Sequence, residues 1–165
     1  REQLTVDKFY ELLASSDALP ETAAPSPGRF AESFQRHLDA GATAIVCINL
    51  SAALSATMQS AVTAAETLDA DIRVIDSKSI TVGLGSIVLA AARAAADGAS
   101  ADEVVAVAES MSDRTRVFGA LDTLENLQKG GRIGGAQALI GSMLSIKPLI
   151  DICLLYTSPS PRDIS

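Results

Sequence analysis

The chain has 165 residues, of which 48% are hydrophobic and only 4% aromatic, so its core must be built mainly from aliphatic side chains. A formal net charge of −7 with scattered basic residues argues against nucleic-acid binding and against a polybasic membrane anchor. The longest apolar run, residues 87–92, stops at Arg93 and falls far short of the ~20 residues that an integral membrane segment needs.

The N-terminal part of the sequence predicts two helices joined by a polar, proline-rich loop. The first helix is expected over residues 5–14, with Thr5 as its cap. The loop follows over residues 15–27. Ser26 is expected to cap a second helix, which has proline at its first position and ends at Gly41.

The middle of the chain predicts alternating strands and helices. Residues 43–50 and 72–75 are short apolar runs rich in β-branched side chains, typical of strands covered on both faces of a parallel sheet. The predicted helices cover residues 54–68, 82–96 and 101–111. Ser100 and Glu103 form a capping box for the last of them. This alternation predicts a doubly wound α/β unit, in which ligands usually bind beyond the carboxyl ends of the strands.

The pattern changes after Asp113, where we expect a domain boundary. The expected elements are a strand over residues 116–121, a short helix, a glycine-rich turn, a helix over residues 136–143 and a strand near Ile146. For the short helix, Asp122 and Glu125 predict a capping box, and Gly130 predicts a left-handed residue at its end.

The C-terminal tail has a different character. Residues 153–163 resemble a translated sequencing adapter, and we expect residues 153–165 to be a non-native tail outside the fold. Cys153 belongs to this tail, which leaves Cys47 as the only other cysteine. Neither an internal disulfide nor a thiolate zinc cluster is therefore expected, and a reducing cytoplasm fits this composition.

Hydroxyl side chains follow the first predicted strand. Ser51, Ser55 and Thr57 gather at the end of a buried strand and the start of a helix, where unpaired backbone N–H groups and the helix dipole favour an anion. These residues are candidate ligands for a carboxylate. They can equally be explained as helix caps, because Ser and Thr are among the commonest capping residues.

Other candidate sites are weaker. His37 is the sole histidine and is expected on a helix surface, and Cys47 is expected to be a small core residue. The glycines at positions 83 and 85 resemble a dinucleotide fingerprint, but Val88 stands where its third glycine is required.

The alternative to a binding protein is an enzyme, either a hydrolase using Ser55 or a nucleotide-dependent transferase. A structural or regulatory domain without a ligand is the third possibility.

Five blocks of sequence carry a resemblance to a known family. The blocks are Thr22-Ala23-Ala24-Pro25-Ser26-Pro27, residues 51–61, Val74-Ile75-Asp76-Ser77, residues 121–133 with their Lys129-Gly130-Gly131-Arg132-Ile133 turn, and Ser145-Ile146-Lys147-Pro148. In order and spacing they resemble the DegV family of bacterial fatty-acid-binding proteins from about residue 4 to residue 152. The resemblance implies a DegV-like fold, with residues 1–113 as a lipid-binding α/β domain lacking its first strand and residues 114–152 as the start of a truncated α+β domain.

The same resemblance implies a function and site residues. A DegV-like protein would hold a long-chain fatty acid and present its carboxylate to a separate ATP-dependent fatty-acid kinase, which forms an acyl-phosphate for phospholipid synthesis. It would be a cytoplasmic carrier without a cofactor or catalytic residues of its own. Thr22 and Ser55 match the family's head-group ligands, Ser51 and Thr57 are their neighbours, and Arg132 matches a position that could meet an acyl-phosphate or the kinase.

The sequence departs from the family pattern around these ligands. Ala23 and Ala24 replace Ser and Gln, Ala52 replaces Ser, and Ala56 stands where Gly is usual. Because Ala56 adopts positive φ less readily than Gly, the loop is expected to be a helical variant. Asp76 and Ser77 match a further family block, although capping or bracing of a loop explains them equally well. We expect the intact protein to bind fatty acid and this chain alone to bind weakly or not at all.

Overall fold

The computed structural model describes residues 4–16, 18–134 and 149–152. The helices are α1 (Val6–Ser15), α2 (Pro27–Asp39), α3 (Thr57–Ala65), α4 (Thr81–Ala96), α5 (Ala101–Arg114) and α6 (Glu125–Lys129). The strands are β1 (Ala44–Asn49), β2 (Asp71–Asp76), β3 (Phe118–Ala120) and β4 (Leu149–Asp151). The predicted helix over residues 136–143 and the strand near Ile146 lie outside the described residues.

The first sheet pairs β1 and β2 in parallel, with Ala44 opposite Asp71 and Asn49 opposite Asp76. Helices cover both of its faces. On one face, Ile45 and Cys47 pack with the buried Phe34 of α2 and with two buried alanines of α3. Because alternate strand residues point to opposite faces, Val46 and Ile48 instead pack against the core of α4 and α5. This confirms the predicted α/β architecture with a parallel sheet between helical layers.

A second, antiparallel sheet pairs β3 with β4, and Gly119 lies opposite Ile150. Its core is a separate cluster built around buried Leu124, Ile133 and Ile150. The predicted domain boundary near Asp113 falls in the last turn of α5, just before this second cluster begins. The boundary itself stays a prediction.

Several helix ends follow the sequence closely. Thr5 caps α1 by accepting a hydrogen bond from the Lys8 amide, and Ser100 and Glu103 form the predicted capping box of α5. Gly41, at φ +95°, ends α2 as predicted. Ser26 occupies the N-cap position of α2, but in the described structure its side chain makes no capping bond.

The prediction for α6 was wrong in two details. The helix begins three residues after Asp122, and the hydroxyl of Thr123, not a box between Asp122 and Glu125, accepts the bond from the Glu125 amide at 3.1 Å. At the other end, Gly131 rather than Gly130 adopts positive φ, at +69°. The Gly131 and Arg132 amides bond back to carbonyls of the helix, so the left-handed residue must lie one position later.

The helix predicted over residues 54–68 is shorter, because α3 starts only at Thr57. The preceding residues form a separate turn, in which the amides of Leu54 and Ser55 both donate to the Ser51 carbonyl. Ala56 has φ −73°, so alanine is compatible with the backbone at a position where the family usually has glycine.

Candidate functional site

The turn after β1 carries three of the predicted ligand residues. Ser51 is buried, and its amide donates to the Ser79 carbonyl at 2.9 Å. The Ser51 carbonyl in turn accepts the Ser55 amide at 3.2 Å. Ser51 therefore has a structural role that ties the turn to the β2–α4 loop, while its position close to Ser55 is as predicted.

Ser55 and Thr57 form a pair of hydroxyls at the N-terminus of α3. Their side-chain oxygens are 2.8 Å apart, and the Thr57 amide donates to Ser55 Oγ at 3.2 Å. Both residues are half-buried. The first amides of a helix lack intrahelical acceptors and carry partial positive charge, so an anion at this end would meet hydroxyl and amide donors together.

Asp76, the last residue of β2, braces this region from the neighbouring loop. Asp76 Oδ1 accepts the amide of Lys78 at 2.8 Å and the amide of Ala52 at 3.2 Å. The fully buried Ser77 donates its amide to the Asn49 carbonyl, and its hydroxyl accepts the amide of Ser79. The two loops at the carboxyl ends of β1 and β2 are thus joined by a network of hydrogen bonds, which confirms loop bracing by Asp76 and Ser77.

Thr22 and Arg132 belong to a second feature of the structure, an open groove. They line one open groove of about 610 Å³ between the loop before α2 and the end of α6; its other lining residues are Leu19, Pro20, Glu21, Lys129 and Gly130. Arg132 is exposed, and its guanidinium donates to the Gly130 carbonyl at 2.6 Å. Lys129 pairs with Glu125 at 2.6 Å and lowers the pKa of that carboxyl.

The structure therefore groups the five predicted residues in two sets. Ser51, Ser55 and Thr57 lie in the turn after β1, and Thr22 shares its groove with Arg132. Within the described residues, no hydrogen bond joins the Thr22 hydroxyl to Ser55. Convergence of Thr22 and Ser55 on one head group stays a prediction.

Leu54 connects the turn with the second cluster. This half-buried side chain packs against the group formed by Leu124, Ile133 and Ile150. Leu54 immediately precedes Ser55, so packing of the second cluster helps to fix the position of the hydroxyl pair. Neither Leu54 nor Ser79 was identified from the sequence as part of the site. A serine two positions after Ser77 is a detectable turn signal, whereas no local signal distinguishes Leu54 from any other apolar residue.

The other candidate residues have structural explanations. His37 lies exposed in the last turn of α2, as expected. Cys47 packs in the core beside α2 and α3, and burial raises the pKa of its thiol, opposed by a smaller effect of the Asn49 amide. Gly83 lies in α4, where a Cβ atom would come within 2.5 Å of Ser79 Oγ, so it serves packing. No cluster of potential metal ligands occurs among the described residues.

Comparison with known proteins identifies relatives along most of the chain. The sequence profile described as an uncharacterised protein of the DegV family matches residues 1–153. A DegV domain-containing protein of Streptomyces coelicolor is 44% identical over 131 residues, which cover 79% of this chain and 47% of the relative. One of Mycobacterium tuberculosis is 40% identical over 132 residues, with 79% and 47% covered. The chain spans about half the length of the curated relatives it matches.

Solved structures of DegV family proteins are also similar to this chain. A DegV family protein from Thermus thermophilus, described as fatty-acid binding, superposes with a TM-score of 0.83 at 34% identity, covering 91% of this chain and 53% of that protein. A fatty-acid-binding DegV family protein from Streptococcus agalactiae gives a TM-score of 0.81 at 29% identity, with 90% and 53% covered. These similarities confirm the DegV-like fold expected from the sequence. Among the described helices, none combines the length and apolar character required to cross a bilayer.

Proposed function

Because the chain belongs to the DegV family, we propose that its protein binds a long-chain fatty acid. One observation carries this proposal: the Thermus thermophilus protein, described as binding fatty acid, shares the fold over 91% of the chain at a TM-score of 0.83. The DegV protein of Bacillus subtilis, also described as fatty-acid binding, supports it at 32% identity and a TM-score of 0.74, over 88% of this chain and 52% of that protein.

In this proposal the Ser55 and Thr57 hydroxyls bind the carboxylate of the fatty acid. Their side-chain oxygens lie 2.8 Å apart at the amide end of α3, which supplies donors without a cationic side chain. Ser51 holds the turn in place through the hydrogen bond from its amide to the Ser79 carbonyl. Thr22 provides a further donor from the opposite loop. Neutral donors bind a carboxylate while leaving its charge largely intact, as a carrier that passes the group on requires.

The acyl chain would lie between aliphatic walls, one of them near Leu54 and the cluster around Leu124. Each buried methylene contributes about 0.8 kcal/mol, so a long chain binds tightly even when head-group contacts are modest. The low aromatic content of 4% is compatible with a pocket lined by aliphatic side chains.

We further propose that the protein is a carrier that presents the carboxylate to a separate fatty-acid kinase in the cytoplasm, where an acyl-phosphate is formed for phospholipid synthesis. The exposed guanidinium of Arg132 in the groove beside Thr22 supports this role. A guanidinium can bind the phosphate of the product or an acidic surface of the kinase. The carrier itself contributes binding and no catalytic residue.

Native mass spectrometry on the protein expressed from its complete source gene tests the binding proposal. We expect a co-purifying fatty-acid mass in the parent protein and its loss in a Thr22→Ala, Ser55→Ala double variant, because the carboxylate loses two of its hydroxyl donors. The 165-residue chain alone is expected to retain little or no fatty acid. Addition of the kinase and ATP should then yield acyl-phosphate from the loaded parent.

A second double variant, Thr63→Ala with Ser86→Ala, serves as the control. Both residues are exposed. Thr63 lies near the C-terminal end of α3, and Ser86 lies in α4, where its hydroxyl bonds to a carbonyl of the same helix. This control should retain the ligand. A parent protein that contains no fatty acid and takes up none when it is added would refute the binding proposal, and the hydroxyls would then be helix caps only.

A further inference from the structure

Two aspartates mark the ends of β2. Asp71 begins the strand and Asp76 ends it. Asp71 accepts two hydrogen bonds from the Arg73 guanidinium, at 2.9 and 3.1 Å. The two side chains form an ordinary surface ion pair. Asp76 instead bonds to backbone amides of two different loops. This second arrangement calls for an explanation, because it ties an acidic side chain to the turn that leads to the proposed carboxylate site.

The contacts of Asp76 explain why a negative charge is tolerated there. Its Oδ1 atom accepts amides from Ala52 and Lys78, residues that belong to the β1–α3 and β2–α4 loops. Hydrogen bonds to an ionised acceptor are stronger than neutral ones. This oxygen therefore adds a link between the two loops, beside the Ser51–Ser79 and Ser77–Asn49 hydrogen bonds. Lys78 has φ +51°, an uncommon conformation for a residue other than glycine, and the bond to its amide offsets the cost of this backbone.

The braced turn leads directly to the hydroxyl pair. Ala52 is the second residue of the turn in which the Ser55 amide donates to the Ser51 carbonyl. Ser51 is held by Ser79 of the β2–α4 loop and Ala52 by Asp76 at the end of β2, so both hydrogen-bonded attachments of the turn are to the carboxyl end of β2 and the loop that follows it. Without the bond to Asp76, the Ser51 hydrogen bond and the packing of Leu54 would remain, but no bond would hold the Ala52 amide between them against displacement of the turn and of Ser55 Oγ.

We propose that Asp76 is a positioning residue for the fatty-acid carboxylate, acting through the Ala52 amide on the Ser55–Thr57 pair. This inference rests on the proposed fatty-acid-binding function. Asp76 acts as a hydrogen-bond acceptor, and its charge opposes a bound carboxylate. Asn at this position keeps an acceptor oxygen and removes the charge, whereas Ala removes both.

The test measures the affinity of the complete gene product for a fluorescent fatty acid, together with its thermal unfolding. We expect Asp76→Ala to bind about tenfold more weakly, which corresponds to loss of a hydrogen bond to a charged group. Asp76→Asn should bind as tightly as the parent protein, or more tightly. Asp71→Ala is the matched control: it removes an aspartate from the other end of the same strand and should leave the affinity unchanged.

The outcomes separate the inference from the function on which it rests. A parent protein that does not bind the probe refutes the proposed function itself. If the parent binds and Asp76→Ala binds equally well, or if Asp71→Ala weakens binding to the same extent at an equal loss of thermal stability, Asp76 has no specific positioning role. Recovery of affinity in Asp76→Asn would show that the acceptor oxygen, and not the charge, positions the site.

Discussion

At the scale of single residues, Gly83 shows how a glycine can be required by packing alone. An added Cβ atom would lie 2.4 Å from Val117 Cγ2 and 2.5 Å from Ser79 Oγ. We therefore expect Gly83→Ala to lower the free energy of unfolding by about 1–3 kcal/mol, the usual cost of overpacking. Gly85→Ala, in the same helix with no atom within 4 Å, should instead raise it by about 0.5–1 kcal/mol. Urea denaturation of both variants measures the difference, and equal values would contradict the packing argument.

The two glycines also show what sequence reasoning can and cannot recover. The missing third glycine makes the resemblance to a dinucleotide fingerprint weak from the sequence alone. The actual reason for Gly83 was not accessible, because its neighbours Val117 and Ser79 come from segments that only the folded chain brings together. A glycine inside a helical pattern gives no indication of which atoms approach it.

At the scale of secondary-structure elements, the capping box of α5 makes stability depend on pH. Glu103 accepts bonds from the amide and the hydroxyl of Ser100, at 2.7 and 2.8 Å, and these bonds lower the pKa of the Glu103 carboxyl below its ordinary value of 4.5. A lowered pKa in the folded state means that the cap contributes its full stability above pH 4.5. This contribution is lost as the pH falls through the folded-state pKa.

We expect Glu103→Gln to reduce this acid-dependent loss, because glutamine keeps an acceptor oxygen but does not titrate. Thermal unfolding followed by circular dichroism between pH 6 and 3 measures the effect as a flatter dependence of Tm on pH. Glu109→Gln, at an exposed position of the same helix, is the control and should follow the parent curve. A parent-like curve for Glu103→Gln would show that the box does not contribute to acid sensitivity.

At this scale the local sequence predicts a helix cap correctly where the cap depends only on residues of the helix itself. The box of Ser100 and Glu103 was predicted and found. The box of Asp122 and Glu125 had the same spacing and was not formed, because Thr123 provides the capping hydroxyl for a shorter helix. The spacing alone does not decide between Asp122 and Thr123, because Asp and Thr are both favoured as capping side chains.

At the scale of the whole molecule, Leu54 connects the parallel-sheet layer to the second cluster. Its side chain packs with Leu124, Ile133 and Ile150, although it belongs to the turn after β1. We expect Leu54→Ala to destabilise the protein by about 2 kcal/mol and to increase amide hydrogen exchange in β3 and α6. Exchange in β1 and β2 should change little.

Leu68→Ala is the matched comparison, because Leu68 is also half-buried but packs in a different cluster, the one with Phe34 that covers one face of the parallel sheet. It should increase exchange in α2 and α3 and leave β3 and α6 unchanged. Hydrogen exchange with mass spectrometry distinguishes the two patterns. If Leu54→Ala and Leu68→Ala gave the same pattern, Leu54 would have no specific link to the second cluster.

The sequence by itself determined the alternation of strands and helices, the two-sided burial of β1 and β2, the N-terminal caps of α1 and α5 and the resemblance to a family, because each of these is encoded in the spacing of neighbouring residues. Only the tertiary structure decided which loops meet. Asp76 holds Ala52 from 24 positions away, and Thr22 of the loop before α2 lines the same groove as Arg132 after α6. Such pairings depend on how the layers pack, and the energy of that packing is distributed over many side chains that carry no local signal.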